Sequence, residues 1–183
     1  MLERSIAIKP SYNALSNLGT LEYMEGDYAA AVEAYEAALV LHDHDSRIWG
    51  NLGMARILLG DNPEKGKMEI ARAAELVEEQ RAYMGNDPGL ISRLASYYEE
   101  LEQDERAVEL LRNLVEMEPD NAEALFRIGQ TYFLLEDMEK ALEWLGRALD
   151  HGCPLSRIQT APTLETLIAS EEWRRWLRSR GDD

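Results

Sequence analysis

The sequence predicts an all-α protein in which pairs of antiparallel helices stack on one another as a solenoid. Three observations lead to this prediction: a recurring spacing, apolar residues at helical intervals, and small residues where paired helices would cross. A fixed period is typical of repeat architectures, in which each unit is one supersecondary element. A spacing of 34 residues separates Leu18-Gly19 from Leu52-Gly53, and Leu94-Ala95 from Ile128-Gly129.

The first helix of each predicted repeat carries two large apolar residues three positions apart. Side chains at this spacing share one face of a helix, so they form a buried stripe. These pairs are Leu15 and Leu18, Trp49 and Leu52, Ile91 and Leu94, and Leu125 and Ile128.

Small residues recur in both helices of each repeat, where they allow two antiparallel helices to approach closely. In the first helices these are Gly19, Gly53, Ala95 and Gly129, which are predicted to face Ala31, Gly66, Ala107 and Ala141 in the second. Short turns join the helices of each pair, as is usual for antiparallel neighbours. The turns are predicted at Gly26-Asp27, Gly60-Asp61, Glu102-Gln103 and Glu136-Asp137.

Composition and charge argue against several classes of protein. The chain has 183 residues, of which 45% are hydrophobic, as expected of a folded protein. Its 35 acidic and 19 basic residues leave a net charge of −16, which would repel nucleic acid and anionic membranes. No apolar run approaches the roughly 18 residues of a membrane span, so membrane insertion is not expected. The single cysteine, Cys153, cannot form an internal disulfide, which favours a reducing, cytoplasmic location.

The pattern resembles the tetratricopeptide repeat, a 34-residue helix-turn-helix with the signature Trp-x-x-Leu-Gly-x-x-Tyr, then Ala-x-x-x-Phe, then Pro. Trp49, Leu52 and Gly53 match its opening directly. The resemblance implies a right-handed α-solenoid with repeats at 12–45, 46–87, 88–121 and 122–155. Residues 1–11 look like the second helix of a truncated repeat, and residues 156–183 are predicted to form helices that cap the last hairpin.

Two departures from the family pattern lead to further predictions. The tyrosine of the signature is present as Tyr98 and Tyr132 but is replaced by Glu22 and Arg56, so the first two repeats are expected to pack less tightly. The second repeat is about eight residues longer than the others. Its second helix is predicted to run about two turns past the family length, to Gly85, and to project from the solenoid.

In this family the first helix of each hairpin lines a concave groove that binds peptides or partner helices. The resemblance therefore implies a groove in which Asn17 and Asn51 hold a peptide group, while Arg93 and Arg127 pair with carboxylates. Met54 and two phenylalanines would add apolar contact. The predicted groove residues are Asn13, Asn17, Thr20, Arg47, Asn51, Met54, Arg93, Ser96, Phe126, Arg127, Gln130 and Phe133.

Three short motifs invite comparison with chemical sites, and none is complete. His42 to Asp45 alternates imidazoles and carboxylates, but a closed metal site needs further ligands. Gly60 to Met68 differs from a phosphate-binding loop in its glycine spacing and in having Met68 where Ser or Thr would bind magnesium. Cys153 has His151 nearby but no acid to complete a nucleophilic arrangement. The sequence therefore predicts no catalytic residue, no metal and no cofactor.

The function predicted from the resemblance is a non-catalytic scaffold that binds a protein or peptide. The phrases Tyr12 to Gly19 and Ile48 to Gly53 resemble the C-terminal repeat arrays of large bacterial signalling proteins, which implies a regulatory role. One alternative is a self-assembly module, with the chain forming a weak homo-oligomer. A second is the repeat portion of a glycosyltransferase-like enzyme whose catalytic part is absent.

Overall fold

A computed structural model describes residues 11–181, which form eleven α-helices and one short 3-10 helix, with no β-strand in that range. The chain divides into two compact units, one ending at Glu102 and one beginning at Gln103. The all-α prediction is therefore confirmed for the described part of the chain. The predicted truncated repeat at residues 1–11 lies outside the described residues except for Ser11.

Within residues 11–102, unit 1 contains five helices, and α1 to α4 form the first two predicted hairpins. The helices are α1 (Tyr12–Glu25), α2 (Tyr28–Leu41), α3 (Ser46–Leu59), α4 (Pro63–Met84) and α5 (Pro88–Glu100). In chain order, each of these helices packs against the next. A side-chain oxygen of the residue before each helix accepts a backbone N–H of its first turn, which fixes where the helix begins. These caps are Ser11, Asp27, Asp45, Asn62 and Asp87.

Unit 2 contains the fourth hairpin and the C-terminal helices. Its elements are α6 (Asp104–Met117), α7 (Ala122–Leu134), α8 (Met138–Asp150), α9 (Leu155–Gln159), a 3-10 turn (Pro162–Leu164), α10 (Glu165–Ala169) and α11 (Glu171–Arg180). Helices α7 and α8 form the hairpin, and α6 packs against α7. The third predicted repeat thus contributes α5 to unit 1 and α6 to unit 2.

Close helix crossings occur where the sequence places small residues. A Cβ atom on Gly53 would lie 2.6 Å from the carbonyl oxygen of Gly66, and a Cβ on Gly66 would lie 2.7 Å from that of Gly53. Backbone thus meets backbone at this crossing, so a side chain on either residue would force α3 and α4 apart. In unit 2 a Cβ on Gly129 would lie 2.8 Å from the side chain of Leu145.

The predicted apolar stripe is buried most completely in the third and fourth repeats. Leu52, Ile91, Leu94, Leu125 and Ile128 are at most 2% exposed. Leu15, Leu18 and Trp49 are half-buried, and the first and last of these pack against the core cluster of the first two repeats.

The tight turns have one backbone conformation but different residues. Gly26 and Gly60 end their helices in the left-handed region, with φ of +83° and +74°. Glu102 and Glu136 adopt the same region, with φ of +56° and +60°. A side chain in this region costs roughly 1–2 kcal/mol relative to glycine, so the last two turns are strained where the first two are not.

The prediction that Arg56 loosens the second repeat is wrong. Arg56 is 5% exposed and lies in a network of ion pairs. Its Nε donates to Oε2 of Glu69 at 2.8 Å, and its Nη2 donates to Oε1 of Glu36 at 2.6 Å. Burial acts to lower the pKa of the Arg56 guanidinium, but the hydrogen bonds to Glu69 and Glu36 raise it, so Arg56 stays charged. The network joins α2, α3 and α4 where a tyrosine was expected.

One side of the extension of α4 packs on α5, so the prediction that the extension projects is wrong except at its tip. Val77 is fully buried, and the hydroxyl of Tyr98 donates to Oε1 of Glu78 at 3.0 Å. Glu78 and Glu79 are exposed on the other side of the extension, and exposure is greatest in the final turn, where Tyr83 and Met84 are 91% and 71% exposed. The helix ends there at Gly85, as predicted.

The C-terminal helices cover the last hairpin. Ile158 and Leu164 are fully buried, and Trp173 is 2% exposed. A Cβ on Gly146 of α8 would lie 2.8 Å from Nη1 of Arg180, whose Nη2 donates to Oδ1 of Asp150 at 2.6 Å. The capping role predicted for this segment is confirmed within unit 2.

Candidate peptide-binding groove

Tyr35 organises the groove side of the first two repeats. Its ring lies so close to Gly19 that a Cβ there would be 2.8 Å from the ring. The side chain of Tyr35 thus extends from α2 to α1, where its hydroxyl donates to Oγ1 of Thr20 at 3.1 Å. Asn51 lines the same space as this hydroxyl. Burial raises the pKa of Tyr35, so the hydroxyl remains a neutral donor near pH 7.

A cavity of about 350 Å³, called here the apolar pocket, opens beside this hydroxyl. Three predicted groove residues, Thr20, Asn51 and Met54, come together there. Among residues 11–181 its lining consists of Thr20, Tyr23, Met24, Tyr35, Asn51 and Met54. Apolar walls with a few hydrogen-bonding groups are typical of sites that bind an organic side chain.

A second cavity of about 290 Å³, called here the cationic cleft, lies at the start of α3. It includes two further predicted groove residues, Arg47 and Arg93. Within the described part of the chain, the residues that line it are His42, His44, Asp45, Ser46, Arg47, Gln80 and Arg93. Arg47 donates from Nε and Nη2 to the two carboxylate oxygens of Asp45 at 3.1 and 2.7 Å. These hydrogen bonds hold the pKa of Asp45 below its usual range, so its negative charge persists.

Tyr97 of α5 packs against α3 at Gly50, between Arg47 and Asn51 in the sequence. Its ring lies over Gly50, where a Cβ would be 2.5 Å from Cε1, and its hydroxyl donates to the carbonyl oxygen of Ser46 at 2.9 Å. Burial raises the pKa of Tyr97 to about 12, so this hydroxyl also stays neutral. Because Gly50 has no side chain, the ring of Tyr97 can lie directly against α3.

The remaining predicted groove residues of unit 1 line neither cavity. Asn13 and Asn17 are exposed on α1, at helical spacing from Thr20 and on the same face. Ser96 is half-buried, and its hydroxyl donates to the carbonyl oxygen of Ser92 at 3.2 Å.

In unit 2 the structure overturns the assignment of Phe126 to an open groove. Phe126 is 1% exposed, and the guanidinium of Arg157 lies 5.0 Å from its ring centre. Gln130 donates from Nε2 to Oγ1 of Thr163 at 2.6 Å. The segment after α8 thus contacts both residues where it packs on α7. Of the other two predicted residues here, Arg127 and Phe133 are half-buried.

Sequence reasoning left several lining residues out of the predicted groove. Tyr35 could have been included from the sequence. It lies at a position predicted to be buried, and a buried tyrosine usually needs a hydrogen-bond partner for its hydroxyl. Gln80 carries no comparable signal, since its position depends on how the extension of α4 packs against α5.

The described residues offer little support for other chemistry. Between residues 11 and 181, no three His, Cys, Asp or Glu side chains are grouped to hold a metal. The imidazole of His44 is paired with Asp43 beside it. Burial raises the pKa of the Cys153 thiol, which disfavours the nucleophilic thiolate. None of the helices in this range is long and apolar enough to span a bilayer.

Paired helices that cross at small residues, with cavities along their first helices, define a helical-repeat protein. The chain belongs to the tetratricopeptide repeat family, whose sequence profile matches residues 16–86 and 92–155. A curated relative is BBSome complex member BBS4 of Bos taurus, 28% identical over 129 residues. That match covers 70% of this chain and 23% of the relative, so the chain spans about a quarter of its length.

Solved structures share the fold at low sequence identity. The type IV pilus biogenesis factor PilW has a TM-score of 0.69 and 12% identity, covering 97% of this chain and 80% of that one. TTC0263, from Thermus thermophilus, has a TM-score of 0.63 and 19% identity, covering 90% and 87%. YrrB, described as having an unusual peptide-binding site, has a TM-score of 0.58 and 17% identity, covering 97% and 89%. The predicted α-solenoid class is thereby confirmed, and a scaffold for protein interaction is the general function that this family supports.

Proposed function

We propose that this chain binds a polypeptide segment in a groove on unit 1, formed by the exposed faces of α1 and α3. The observation that carries the proposal is the apolar pocket, where Thr20, Asn51 and Met54 meet around about 350 Å³. A pocket of this size accepts a large apolar side chain. The amide of Asn51 both donates and accepts, so it can hold the peptide group beside that side chain.

The proposal confines the groove to unit 1. The equivalent surface of α7 is occupied by the chain itself, because Arg157 covers Phe126 and Thr163 binds Gln130. A peptide would have to displace these contacts in order to bind there. The open surface of α1 and α3 requires no such displacement.

We further propose that the chain has a regulatory role within a larger bacterial signalling protein and that it is cytoplasmic. The family resemblance of Tyr12 to Gly19 and Ile48 to Gly53 supports the first, and the lone, buried Cys153 supports the second. A weak homo-oligomer remains the competing proposal. A weak homo-oligomer predicts that the apparent mass measured by light scattering rises with protein concentration.

Selection from a displayed library of random twelve-residue peptides tests the groove directly. We expect enriched peptides to bind with a dissociation constant of about 1 µM, near −8 kcal/mol, as measured by calorimetry. Met54→Ser removes the apolar wall of the pocket and should weaken binding about tenfold. Met68→Ser is the matched control, because Met68 is 72% exposed on α4 and lines no part of the groove; its effect should be below about twofold.

Circular dichroism and a thermal melt must show that both variants are folded. Asn51→Ala, at an exposed position, supplies a second variant that leaves the core intact. The groove assignment is lost if no peptide is enriched, or if folded Met54→Ser and Asn51→Ala variants bind as tightly as the parent chain.

A further inference from the structure

The cationic cleft and the apolar pocket lie along one stripe of α3. Arg47, Asn51 and Met54 follow one another at intervals of four and three residues, so their side chains share a face of the helix. Arg47 lines the cleft, and Asn51 and Met54 line the pocket. The ring of Tyr97 lies over Gly50 between the two cavities, which both open along this face of α3.

The guanidinium of Arg93 has N–H groups that can donate hydrogen bonds to a ligand. Among residues 11–181 no carboxylate pairs with its guanidinium, whereas Arg47 is held by both oxygens of Asp45. The ring of His42 packs on Tyr12 at 4.5 Å between centroids. The cleft thus contains Arg47, which is paired with Asp45, and Arg93, which pairs with no carboxylate among residues 11–181.

The charge inside the cleft indicates which anion fits. Arg47 and Arg93 contribute two positive charges and Asp45 one negative charge, which leaves one net positive charge when the imidazoles are neutral. A single carboxylate balances that charge. A phosphate dianion would leave an excess of negative charge beside Asp45, so the carboxylate is the better match.

We propose that the cationic cleft binds a carboxylate of the same polypeptide whose apolar side chain enters the apolar pocket, with Arg93 as the principal partner. This inference rests on the proposed groove and specifies its ligand. Arg47 and Met54 are seven residues apart, which is about 10.5 Å along a helix. An extended peptide covers that distance in about three residues. The ligand therefore carries Asp or Glu three positions from a large apolar residue.

The extension of α4 has a role in this proposal. Gln80 lies on that extension and forms one side of the cleft. A helix of the usual family length would end before Gln80 and leave the cleft open there. The side-chain amide can donate to a carboxylate held by Arg93, so the extra turns complete the site.

The test uses the peptides enriched by the full chain in the selection described above. Most should contain an acidic residue three positions from a large apolar one. Replacing that Glu by Gln in a synthetic peptide should weaken binding about tenfold. Arg93→Gln should weaken the Glu peptide equally and should no longer distinguish the Glu peptide from the Gln peptide. Arg72→Gln removes the same charge from the exposed side of α4, so its effect should be below about twofold.

Three outcomes overturn the inference: enriched peptides without the acidic residue, an Arg93→Gln variant that weakens Glu and Gln peptides alike, or a phosphoserine peptide that binds more than about tenfold tighter than the Glu peptide. Any of these, combined with weaker binding by Met54→Ser, leaves the groove itself in place. If Met54→Ser has no effect, the groove and the carboxylate site fail together.

Discussion

The second and fourth repeats fill the same core position with opposite chemistry. Arg56 and Tyr132 hold equivalent places in α3 and α7 and are 5% and 8% exposed. Arg56 is stabilised by Glu69 and Glu36, whereas the ring of Tyr132 has the ammonium of Lys140 5.0 Å from its centre. The repeat thus constrains where a side chain is buried more strictly than it constrains which side chain is buried there.

The same two repeats differ at a second equivalent position, and this difference bears on function. Gly50 is covered by the ring of Tyr97, while Phe126 fills its own site and is covered by Arg157. Both positions are buried. Beside Gly50, however, two cavities stay open along α3, whereas beside Phe126 the C-terminal segment occupies α7. Whether the first helix of a repeat has an open surface therefore depends on its surroundings as well as on its sequence.

Breaking the ion-pair network should have the largest effect on this comparison. Arg56→Ala removes the close partner of Glu69, whose side chain is 7% exposed, and leaves this buried charge only the longer contact to Nζ of Lys65 at 3.8 Å. We expect the free energy of unfolding to fall by about 3–5 kcal/mol, measured by urea denaturation. Arg56→Leu combined with Glu69→Leu removes both charges and should stay within about 1 kcal/mol of the parent chain. A double variant as unstable as Arg56→Ala would show that the charges themselves are required.

The helix crossings should respond less strongly, and unequally. A methyl group on Gly53 would meet the backbone of Gly66, which cannot move away without displacing α4. Gly53→Ala should therefore destabilise the chain by about 2–3 kcal/mol. In Gly129→Ala the new methyl meets mainly the side chain of Leu145, which can rotate, so about 1 kcal/mol is expected. Equal losses in denaturant midpoint would contradict this distinction between backbone and side-chain contact.

The turns should give the smallest effect. Glu136 occupies the left-handed position that Gly60 occupies in the second repeat. Glu136→Gly relieves that strain and should stabilise the chain by about 0.5–1 kcal/mol, raising its melting temperature. The reciprocal change, Gly60→Ala, should destabilise it by about 1 kcal/mol. A lower melting temperature for Glu136→Gly would mean that its side chain makes a stabilising contact.

The regular part of the fold could be predicted because its causes are local. Helical spacing of apolar residues, small residues at crossings and turn residues each act within one hairpin, so Leu52, Gly53 and Gly66 were interpreted correctly. The ion pairs of Arg56 could not be predicted in this way. They join three helices, and their stability depends on burial that no single helix provides.

The candidate site shows the same division. Thr20, Asn51 and Met54 were assigned to one surface from their positions in the repeat, and they line one cavity. Phe126 was assigned by the same rule but is buried, since the rule ignores what packs on the last hairpin.

The sequence by itself determined the helices, their turns and the close approach within hairpins, because these follow from short-range spacing and side-chain size. The tertiary structure alone decided which equivalent surfaces remain open. Whether Gly50, Phe126 or Gln80 faces a cavity or a neighbour depends on atoms contributed by other helices, and those contacts form only when the helices have stacked.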